Sequence, residues 1–243
     1  MCGIFGIIPK NNVLKKELHF LANHATQRGR DSSGVAFSKN NSFSIFRSEM
    51  TVSRLLNNLD LINLNFVMGH SRLKTTGSSD NQPVIRNNIC LIHNGIIVNS
   101  DDIWKSLDIE RYQEIDSEVI VALVEDELNK KVELEKIGQI ILDKCKGIVA
   151  CAIALPNVGK LLLLSNNGSL YVGEKNATIY FSSEKYPLYA KKIKKIKKIK
   201  KPIVCDIPIS EIIEVKDISQ RFKKDLIAKL DFNSELEKKL IYP

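Results

Sequence analysis

The hydrophobic residues of this chain change their spacing several times, and each spacing predicts a kind of element. Apolar residues between positions 14 and 25 recur every three or four residues, which is the period of a helix. Ser100 and the run Asp116-Ser117-Glu118 are helix start signals that stand before further apolar runs. Helices are therefore predicted over residues 14–25, from residue 100, over 118–128 and 134–145, and over 222–241, where an amphipathic tail would close the domain.

Strands are predicted where apolar residues alternate or form short continuous runs between turn residues. These segments are residues 3–8, 34–38, 43–47, 66–71, 90–94, 148–155, 160–165, 170–173 and 178–182. Asn40-Asn41 marks the turn of one strand pair, and residues 75–83 are typical of a loop that carries a site. Strands, then central helices, then strands again predict an α+β fold of packed antiparallel sheets flanked by helices. We expect one domain over residues 2–243.

Composition narrows the class of protein. With 44% hydrophobic and 26% charged residues in 243, the chain has the composition of an ordinary globular protein. No apolar stretch approaches the roughly 18 residues of a spanning helix, and the N-terminus has no positively charged region of a signal peptide. Five cysteines without C-x-x-C spacing argue against a zinc site or a disulfide framework. We therefore expect a cytoplasmic protein without a membrane partner or a zinc site.

The formal charge of +8 comes from one place. Eight lysines lie between residues 191 and 201, and without them the chain has 28 basic and 28 acidic residues. This lysine tract, residues 191–201, repeats Lys-Lys-Ile with a period of three, which matches neither a helix nor a strand. One interpretation is a patch for phosphate, nucleic acid or an acidic partner; the other, which we favour, is a solvated surface segment. Nucleic acid is disfavoured because no aromatic residues are interleaved for base stacking.

Cys2 stands where removal of Met1 would make it N-terminal. A free α-amine has a pKa of roughly 7.7–8.0, so part of it is neutral near pH 7 and can accept the proton of its own thiol. The apolar run behind Cys2 would hold it on a buried strand. The simpler interpretation is that Cys2 is a small buried hydrophobic residue at the start of that strand.

Four further segments carry chemistry. They are Gln27-Arg28-Gly29-Arg30-Asp31-Ser32-Ser33-Gly34, Gly69-His70-Ser71-Arg72-Leu73-Lys74-Thr75-Thr76-Gly77, His93-Asn94-Gly95-Ile96-Ile97-Val98-Asn99 and Asp116-Ser117-Glu118-Val119-Ile120. Each alone is weak, because Asn-Gly is also a hairpin signal and Asp-Ser-Glu also a plain helix cap. Their order after an N-terminal Cys-Gly-Ile makes them specific.

With these motifs the chain resembles the class II glutamine amidotransferases, the N-terminal-cysteine branch of the Ntn hydrolases. It is most similar to the glutaminase domain of glucosamine-6-phosphate synthase, from Cys2 to about Tyr189. The purine-pathway amidotransferase and asparagine synthetase match less well around Asp31 and Asn94. The resemblance implies an αββα sandwich of two antiparallel sheets flanked by helices, and hydrolysis of L-glutamine without a cofactor.

The resemblance also implies the catalytic roles. Cys2 attacks the side-chain amide of glutamine, and its α-amine moves the proton from the thiol to the departing ammonia. The side chain of Asn94 and the backbone N–H of Gly95 stabilise the oxyanion. Water then cleaves the γ-glutamyl thioester. Arg28 either orders the loop near the nucleophile or caps the preceding helix.

Substrate binding is implied by the same matches. Arg72 clamps the carboxylate of glutamine, which suits a bidentate guanidinium. Thr75 and Thr76 assist it, and Asp116 pairs with the α-ammonium group. Two positions depart from the pattern: Leu73 replaces an aromatic residue associated with the ammonia passage, and Thr76 a common histidine. Both put in doubt coupling to that enzyme's own synthase reaction.

The neighbouring polar residues have structural interpretations. We expect His70 and His93 to be core or supporting residues, and Asp31 to belong to a turn with Ser32. We recognise no synthase domain, so the ammonia acceptor is expected on a separate protein, with the lysine tract as a candidate contact. Two alternatives stay open: an amidase for a non-glutamine amide, and a non-catalytic basic domain that binds a partner.

Overall fold

The computed structural model describes residues 2–73 and 81–218, which form two β-sheets packed face to face. The strands are, in chain order, β1 (Gly3–Ile8), β2 (Ser32–Lys39), β3 (Ser42–Ser48), β4 (Phe66–Arg72), β5 (Val84–Arg86), β6 (Ile89–His93), β7 (Ile96–Ile97), β8 (Gly147–Ile148), β9 (Ala150–Leu155), β10 (Lys160–Ser165), β11 (Tyr171–Lys175), β12 (Thr178–Ser182), β13 (Lys194–Lys198), β14 (Ile203–Asp206) and β15 (Glu211–Ile218). The helices are α1 (Lys15–Thr26), α2 (Val52–Leu56), α3 (Ser100–Lys105), α4 (Glu118–Asn129), α5 (Leu134–Lys144) and α6 (Lys185–Ala190).

The larger sheet has the strand order β13-β11-β12-β1-β4-β2-β3-β15, so β1 lies near its centre. The smaller sheet has the order β14-β10-β9-β6-β5, and β7 pairs with β8 in a separate two-stranded ribbon. Asn40 and Asn41 form the turn between β2 and β3 with φ of 50° and 60°. Two positive φ angles are those of the hairpin turn that matches the strand twist.

Three layers of apolar side chains separate the elements. Ile4, Met68 and Ile92 belong to the core between the two sheets. A second core joins the smaller sheet to α4 and α5, and a third joins the larger sheet to α1 and α2. Helices therefore cover both outer faces, and the fold is the expected αββα sandwich of the α+β class.

Most predicted elements are confirmed within one or two residues. The run 148–155 is interrupted at Val149, so that it forms β8 and β9. The larger sheet is not wholly antiparallel, because β15 runs parallel to β3. The predictions missed α2, α6, β5, β7 and the strands after residue 190. The predicted helix over 222–241 lies outside the described residues.

The lysine tract is a solvent-exposed segment that contains a β-strand. Its central residues form β13, an edge strand that pairs with β11 in antiparallel orientation. Ile193 and Ile199 are buried, whereas the lysines between them are exposed. Within the described part of the chain, no helix is both long and apolar enough to cross a membrane.

Candidate active site

Cys2 lies immediately before β1, at one end of the central strands of the larger sheet, and it is partly buried. Gly3 stands opposite Ser71 of β4, so Cys2 and Arg72 lie one residue further along at the same end of this strand pair. The side chains of Ile4 and Met68 face the core between the sheets. Because side chains alternate along a strand, the register places Cys2 and Arg72 on this inner face.

Asn94 comes from the opposite sheet and contacts Cys2. It follows β6 directly, and its N–H donates to the carbonyl of Ala150 at 2.8 Å. The main-chain nitrogen of Cys2 donates to Asn94 Oδ1 at 3.0 Å. This contact joins the two sheets at the entrance to the core, so that the nitrogen expected to act as the base is held by a buried amide oxygen.

Gly95 follows Asn94 in a space that accepts only glycine. A Cβ atom at this position would lie 1.8 Å from the carbonyl oxygen of Ile148 and 2.6 Å from His93 Nε2. The ribbon of β7 and β8 therefore packs directly on the Gly95 backbone. The resemblance expects an oxyanion donor at this N–H, and the missing side chain is what allows the ribbon to close over it.

Arg28 contacts Cys2 directly. Its Nε donates to the carbonyl oxygen of Cys2 at 2.9 Å, and its Nη1 forms an ion pair of 3.0 Å with Glu184. The structure thus brings Arg28 to the Cys2 backbone. Glu184, which sequence reasoning did not single out, lies just before α6.

Arg72 ends β4 opposite Ser32 of β2. Its carbonyl oxygen accepts the N–H of Asp31 at 3.1 Å, and a Cβ atom on Gly29 would lie 2.3 Å from its carbonyl carbon. The Arg-Gly turn after α1 is therefore packed against the end of β4. Asp31 lies in this turn, whereas Ser32 already belongs to β2.

Asp116 is linked to the Asn-Gly segment by a hydrogen bond. Its Oδ2 accepts the N–H of Ile97 at 2.7 Å, and its Oδ1 accepts the hydroxyl of Ser117 at 3.3 Å. The Oγ of Ser117 lies 2.9 Å from His93 Nδ1. A continuous polar chain therefore connects the residue before Asn94 to the carboxylate expected to bind the α-ammonium group.

His93 is a buried supporting residue. Its backbone exchanges two hydrogen bonds with the side chain of Gln82, of 2.6 and 3.0 Å. Burial lowers the pKa of His93, and the nearby carboxylate of Asp116 opposes that shift. A neutral ring suits its place beside Ser117. Gln82 was missed because only its position before Pro83 distinguishes it in the sequence.

His70 lies on β4 opposite Ile4 of β1 and Gly34 of β2. It is fully buried, and neither ring nitrogen has a hydrogen-bond partner among the described residues. Burial lowers its pKa to about 3, with a smaller contribution from the positive charge of Arg72. His70 is thus a neutral residue on β4, two positions before Arg72 and close to the strand ends that carry Cys2 and Arg72.

Thr75 and Thr76 lie outside the described residues. The structure brings Asn94 and Arg28 into contact with Cys2. Gly95 is the next residue after Asn94, and Asp116 binds the same segment through the N–H of Ile97. Within residues 2–73 and 81–218, no group of three histidine, cysteine, aspartate or glutamate side chains is placed to hold a metal ion. The arrangement offers a thiol, a main-chain nitrogen bound to a side-chain amide, and a carboxylate on the adjoining segment; with Met1 removed, these would be the groups of nucleophilic amide hydrolysis.

Comparison with known proteins gives a consistent result. Residues 70–190 match the family model of a glutamine amidotransferase domain. The chain is 27% identical to a glutamine–fructose-6-phosphate aminotransferase (isomerizing) of Helicobacter pylori, over 99% of this chain and 42% of that protein. It is 31% identical to an amidophosphoribosyltransferase of Methanocaldococcus jannaschii, over 89% of this chain and 47% of that protein. The chain thus spans less than half the length of these relatives.

A solved structure shows the same fold. The glutamine phosphoribosylpyrophosphate amidotransferase of B. subtilis, complexed with ADP and GMP, superposes with a TM-score of 0.69. The two are 19% identical, and the match covers 84% of this chain and 47% of that one. Since the family model covers the segment that carries Arg72, Asn94 and Asp116, and the fold sets Cys2 beside Asn94, this chain belongs to the class II glutamine amidotransferases, the enzymes with an N-terminal cysteine nucleophile.

Proposed function

We propose that this chain hydrolyses L-glutamine to glutamate and ammonia through a γ-glutamyl thioester on Cys2. The observation that carries the proposal is the 3.0 Å contact between the Cys2 nitrogen and Asn94 Oδ1. Removal of Met1 converts this nitrogen into an α-amine, and Asn94 then holds the base next to the thiol. A buried structural cysteine would not need this contact.

In the first half-reaction the amine accepts the proton of the thiol, and the sulfur attacks the amide carbon of glutamine. The electron pair of the carbonyl moves to its oxygen, which forms the tetrahedral intermediate. The side-chain amide of Asn94 and the N–H of Gly95 donate to this oxyanion. The Nδ2 group of Asn94 makes no hydrogen bond to a described residue, so it is available for this purpose.

Collapse of the intermediate breaks the carbon–nitrogen bond. The ammonium of Cys2 gives its proton to the leaving nitrogen, and ammonia departs. The γ-glutamyl thioester on Cys2 remains. A water molecule then attacks the thioester carbon, with the freed amine as its base, and glutamate leaves as the thiol is restored. Arg28 fixes the Cys2 carbonyl at 2.9 Å throughout, so the thiol and the amine turn about a fixed backbone.

The amino-acid part of glutamine is recognised by charge. Arg72 binds the α-carboxylate with Thr75 and Thr76, and Asp116 binds the α-ammonium group. The two oxygens of Asp116 each accept one hydrogen bond from a described residue, and a carboxylate has about four acceptor sites, so room for an ammonium remains. This pair selects amino-acid substrates over simple amides.

The ammonia is passed to an acceptor on a separate protein. By their names, the relatives act on fructose 6-phosphate or phosphoribosyl pyrophosphate, in chains more than twice as long as the matched part. The described cysteines form no disulfide, in keeping with the reducing cytoplasm that we expect.

The test is release of glutamate and ammonia from L-glutamine by the purified chain, with L-asparagine as the control substrate. Cys2→Ala abolishes turnover, whereas Cys205→Ala, on β14, keeps it. Intact-mass analysis of active protein shows a chain that begins at Cys2. A glutamine analogue with a diazoketone in place of the amide adds one covalent group to the Cys2 residue.

Two results would contradict the proposal. Turnover by a chain that retains Met1 would rule out the α-amine as the base, since its nitrogen would be a peptide amide. Equal turnover of L-asparagine, or of an amide without the amino-acid head group, would favour the alternative amidase. Absence of any turnover in a correctly processed chain, with and without its acceptor protein, would favour a non-catalytic domain.

A further inference from the structure

Glu118 is a buried carboxylate that the reaction above does not use. It is the first residue of α4, two positions after Asp116, and only 1% of it is exposed. Its Oε1 accepts the N–H of Tyr112 at 3.0 Å, and its Oε2 accepts the N–H of Gln113 at 2.7 Å. Glu118 therefore binds the backbone of the loop that leads into Asp116.

Arg86 completes this cluster from β5. It is 5% exposed, and its Nη1 lies 3.2 Å from Glu118 Oε1 and donates to the carbonyl oxygen of Glu110 at 2.7 Å. Its Nε pairs with Glu125 of α4, and its guanidinium lies 4.3 Å from the centre of the Tyr112 ring. One arginine thus ties Glu110 and the Tyr112 ring, in the loop 110–113, to the smaller sheet and to α4.

A buried ion pair of this kind is weak evidence for stability, because desolvation of both charges offsets much of their attraction. Its geometric effect is larger. Glu118 engages two consecutive loop N–H groups, and Arg86 a loop carbonyl, so the chain between Glu110 and Gln113 is held at three backbone atoms. A cluster this connected favours one loop conformation.

Asp116 lies between this cluster and the Asn-Gly segment. On one side its carboxylate accepts the N–H of Ile97. On the other side the chain continues through Ser117 into Glu118, whose position is set by Arg86. The carboxylate is therefore held from both directions, and a shift of the loop would move it relative to Asn94 and Gly95.

We propose that Glu118 and Arg86 are positioning residues that set the specificity of the site for the α-ammonium group, by fixing Asp116. This inference rests on the proposed function, and it adds the Glu118–Arg86 pair to the features that determine the substrate specificity of the same site. Glu118 and Arg86 act through the loop and through Asp116, without contact to the substrate. Their loss changes the recognition of the amino group more than it changes the chemical step at Cys2.

The experiment compares L-glutamine with glutaramate, which has the same amide and carboxylate but no α-amino group. Glutaramate serves as a second substrate, or as a competitive inhibitor where its turnover is slow. In Glu118→Gln we expect KM for glutamine to rise at least tenfold with kcat changed less than threefold. The binding of glutaramate changes less than twofold, so the preference for glutamine falls.

Glu125→Gln is the matched control. Glu125 is the other carboxylate on Arg86, but its partners among the described residues are the side chains of Arg86 and Asn87, and it accepts no N–H of the loop 110–113. This variant loses one charge from the same cluster and keeps the preference for glutamine within about twofold. If Glu118→Gln does not fold, as judged by its thermal unfolding, Arg86→Lys takes its place with the same expected fall in preference.

The outcomes separate the two proposals. A wild-type chain without glutaminase activity overturns the proposed function. An active wild type whose Glu118→Gln variant loses glutamine and glutaramate binding equally, or keeps the full preference, overturns the positioning role and leaves the proposed function intact. If Glu118→Gln and Glu125→Gln change the preference for glutamine equally, the cluster is a structural ion pair without a specific role in positioning Asp116.

Discussion

The Nε of Arg28 donates to the carbonyl oxygen of Cys2 at 2.9 Å, across 26 residues of sequence. The bond holds the carbonyl group of Cys2, while the nitrogen of the same residue is bound to Asn94. A terminal residue normally frays, because few contacts restrain it. Here the residue is held at both its nitrogen and its carbonyl, which orients the thiol.

Arg28→Ala is expected to lower kcat/KM for glutamine by roughly 10- to 100-fold, since a hydrogen bond from a charged donor contributes about 1.5–3 kcal/mol. Glu184→Gln keeps the contact with Cys2 and removes only the partly exposed ion pair, so its loss stays below about fivefold. Steady-state kinetics of both variants check the order. A larger effect of Glu184→Gln would show that the ion pair, and not the Cys2 contact, is what matters.

Arg72→Ala is expected to lower kcat/KM for glutamine by two to four orders of magnitude. The carboxylate of the substrate would then be desolvated without a partner, at a cost of several kcal/mol. Alkylation of Cys2 by iodoacetamide, a small neutral reagent, continues at a rate close to that of the wild type. Arg30→Ala is the control, because Arg30 is exposed in the turn after α1 that packs against the end of β4. Kinetics of Arg72→Ala close to the wild type would remove Arg72 from the site.

Much of the fold was predictable because its long elements have strong hydrophobic periods. The strand pair around Asn40-Asn41 and helices α1, α4 and α5 were found because the period, the turn and the start signal agree. The short edge strands were missed for a physical reason. Their pairing with distant strands decides their conformation, and that partner is not visible in the local sequence.

The lysine tract shows how tertiary contacts override a local period. Ile193 and Ile196 pack on the helix side of the larger sheet, and Ile199 packs in the core between the sheets. Lys195 has a φ of 52°, and the register with β11 shifts at this point, as in a bulge. The extra residue of the bulge lets Ile193 and Ile196, three positions apart, lie on the same face of the sheet. A period of three is therefore compatible with a bulged strand.

The site was predictable by residue type and order, and its supporting contacts were not. Cys2, Asn94 and Asp116 stand in short motifs that can be read along the chain. Arg28 and Glu184 are 156 residues apart, and only the fold brings them together. The role of Glu118 was likewise hidden, because its motif is also that of an ordinary helix start.

The buried His70 predicts a loss of stability in acid. Burial lowers its folded-state pKa to about 3, while the unfolded chain has the ordinary value of 6.5. Below pH 6.5 the unfolded state therefore binds more protons, and the free energy of unfolding falls as the pH decreases toward 3. Between pH 7.5 and 5.0 this histidine alone removes roughly 2 kcal/mol, and above pH 7 its contribution is constant.

Urea unfolding at pH 5.0 and 7.5 measures this difference. His70→Phe reduces the change in unfolding free energy between the two pH values by about 2 kcal/mol, whatever its effect at pH 7.5. His24→Gln, on the partly exposed side of α1, leaves the change as it is in the wild type. An unchanged pH dependence in His70→Phe would show that His70 is not neutral in the folded protein.

The edge strand β13 predicts how a partner would bind. Lys194, Lys195, Lys197 and Lys198 are exposed along an unpaired edge of the larger sheet, within the described residues. Such a row of charges attracts an acidic surface and is screened by salt, with a Debye length of about 10 Å at 0.1 M. We expect the change of these four lysines to glutamine to keep the basal glutaminase activity and to weaken stimulation by the ammonia-accepting protein. The loss is larger in 50 mM than in 300 mM salt. Unchanged stimulation at low salt would contradict the role in partner binding. The lysines would then serve to prevent this edge strand from pairing with the sheet of another molecule.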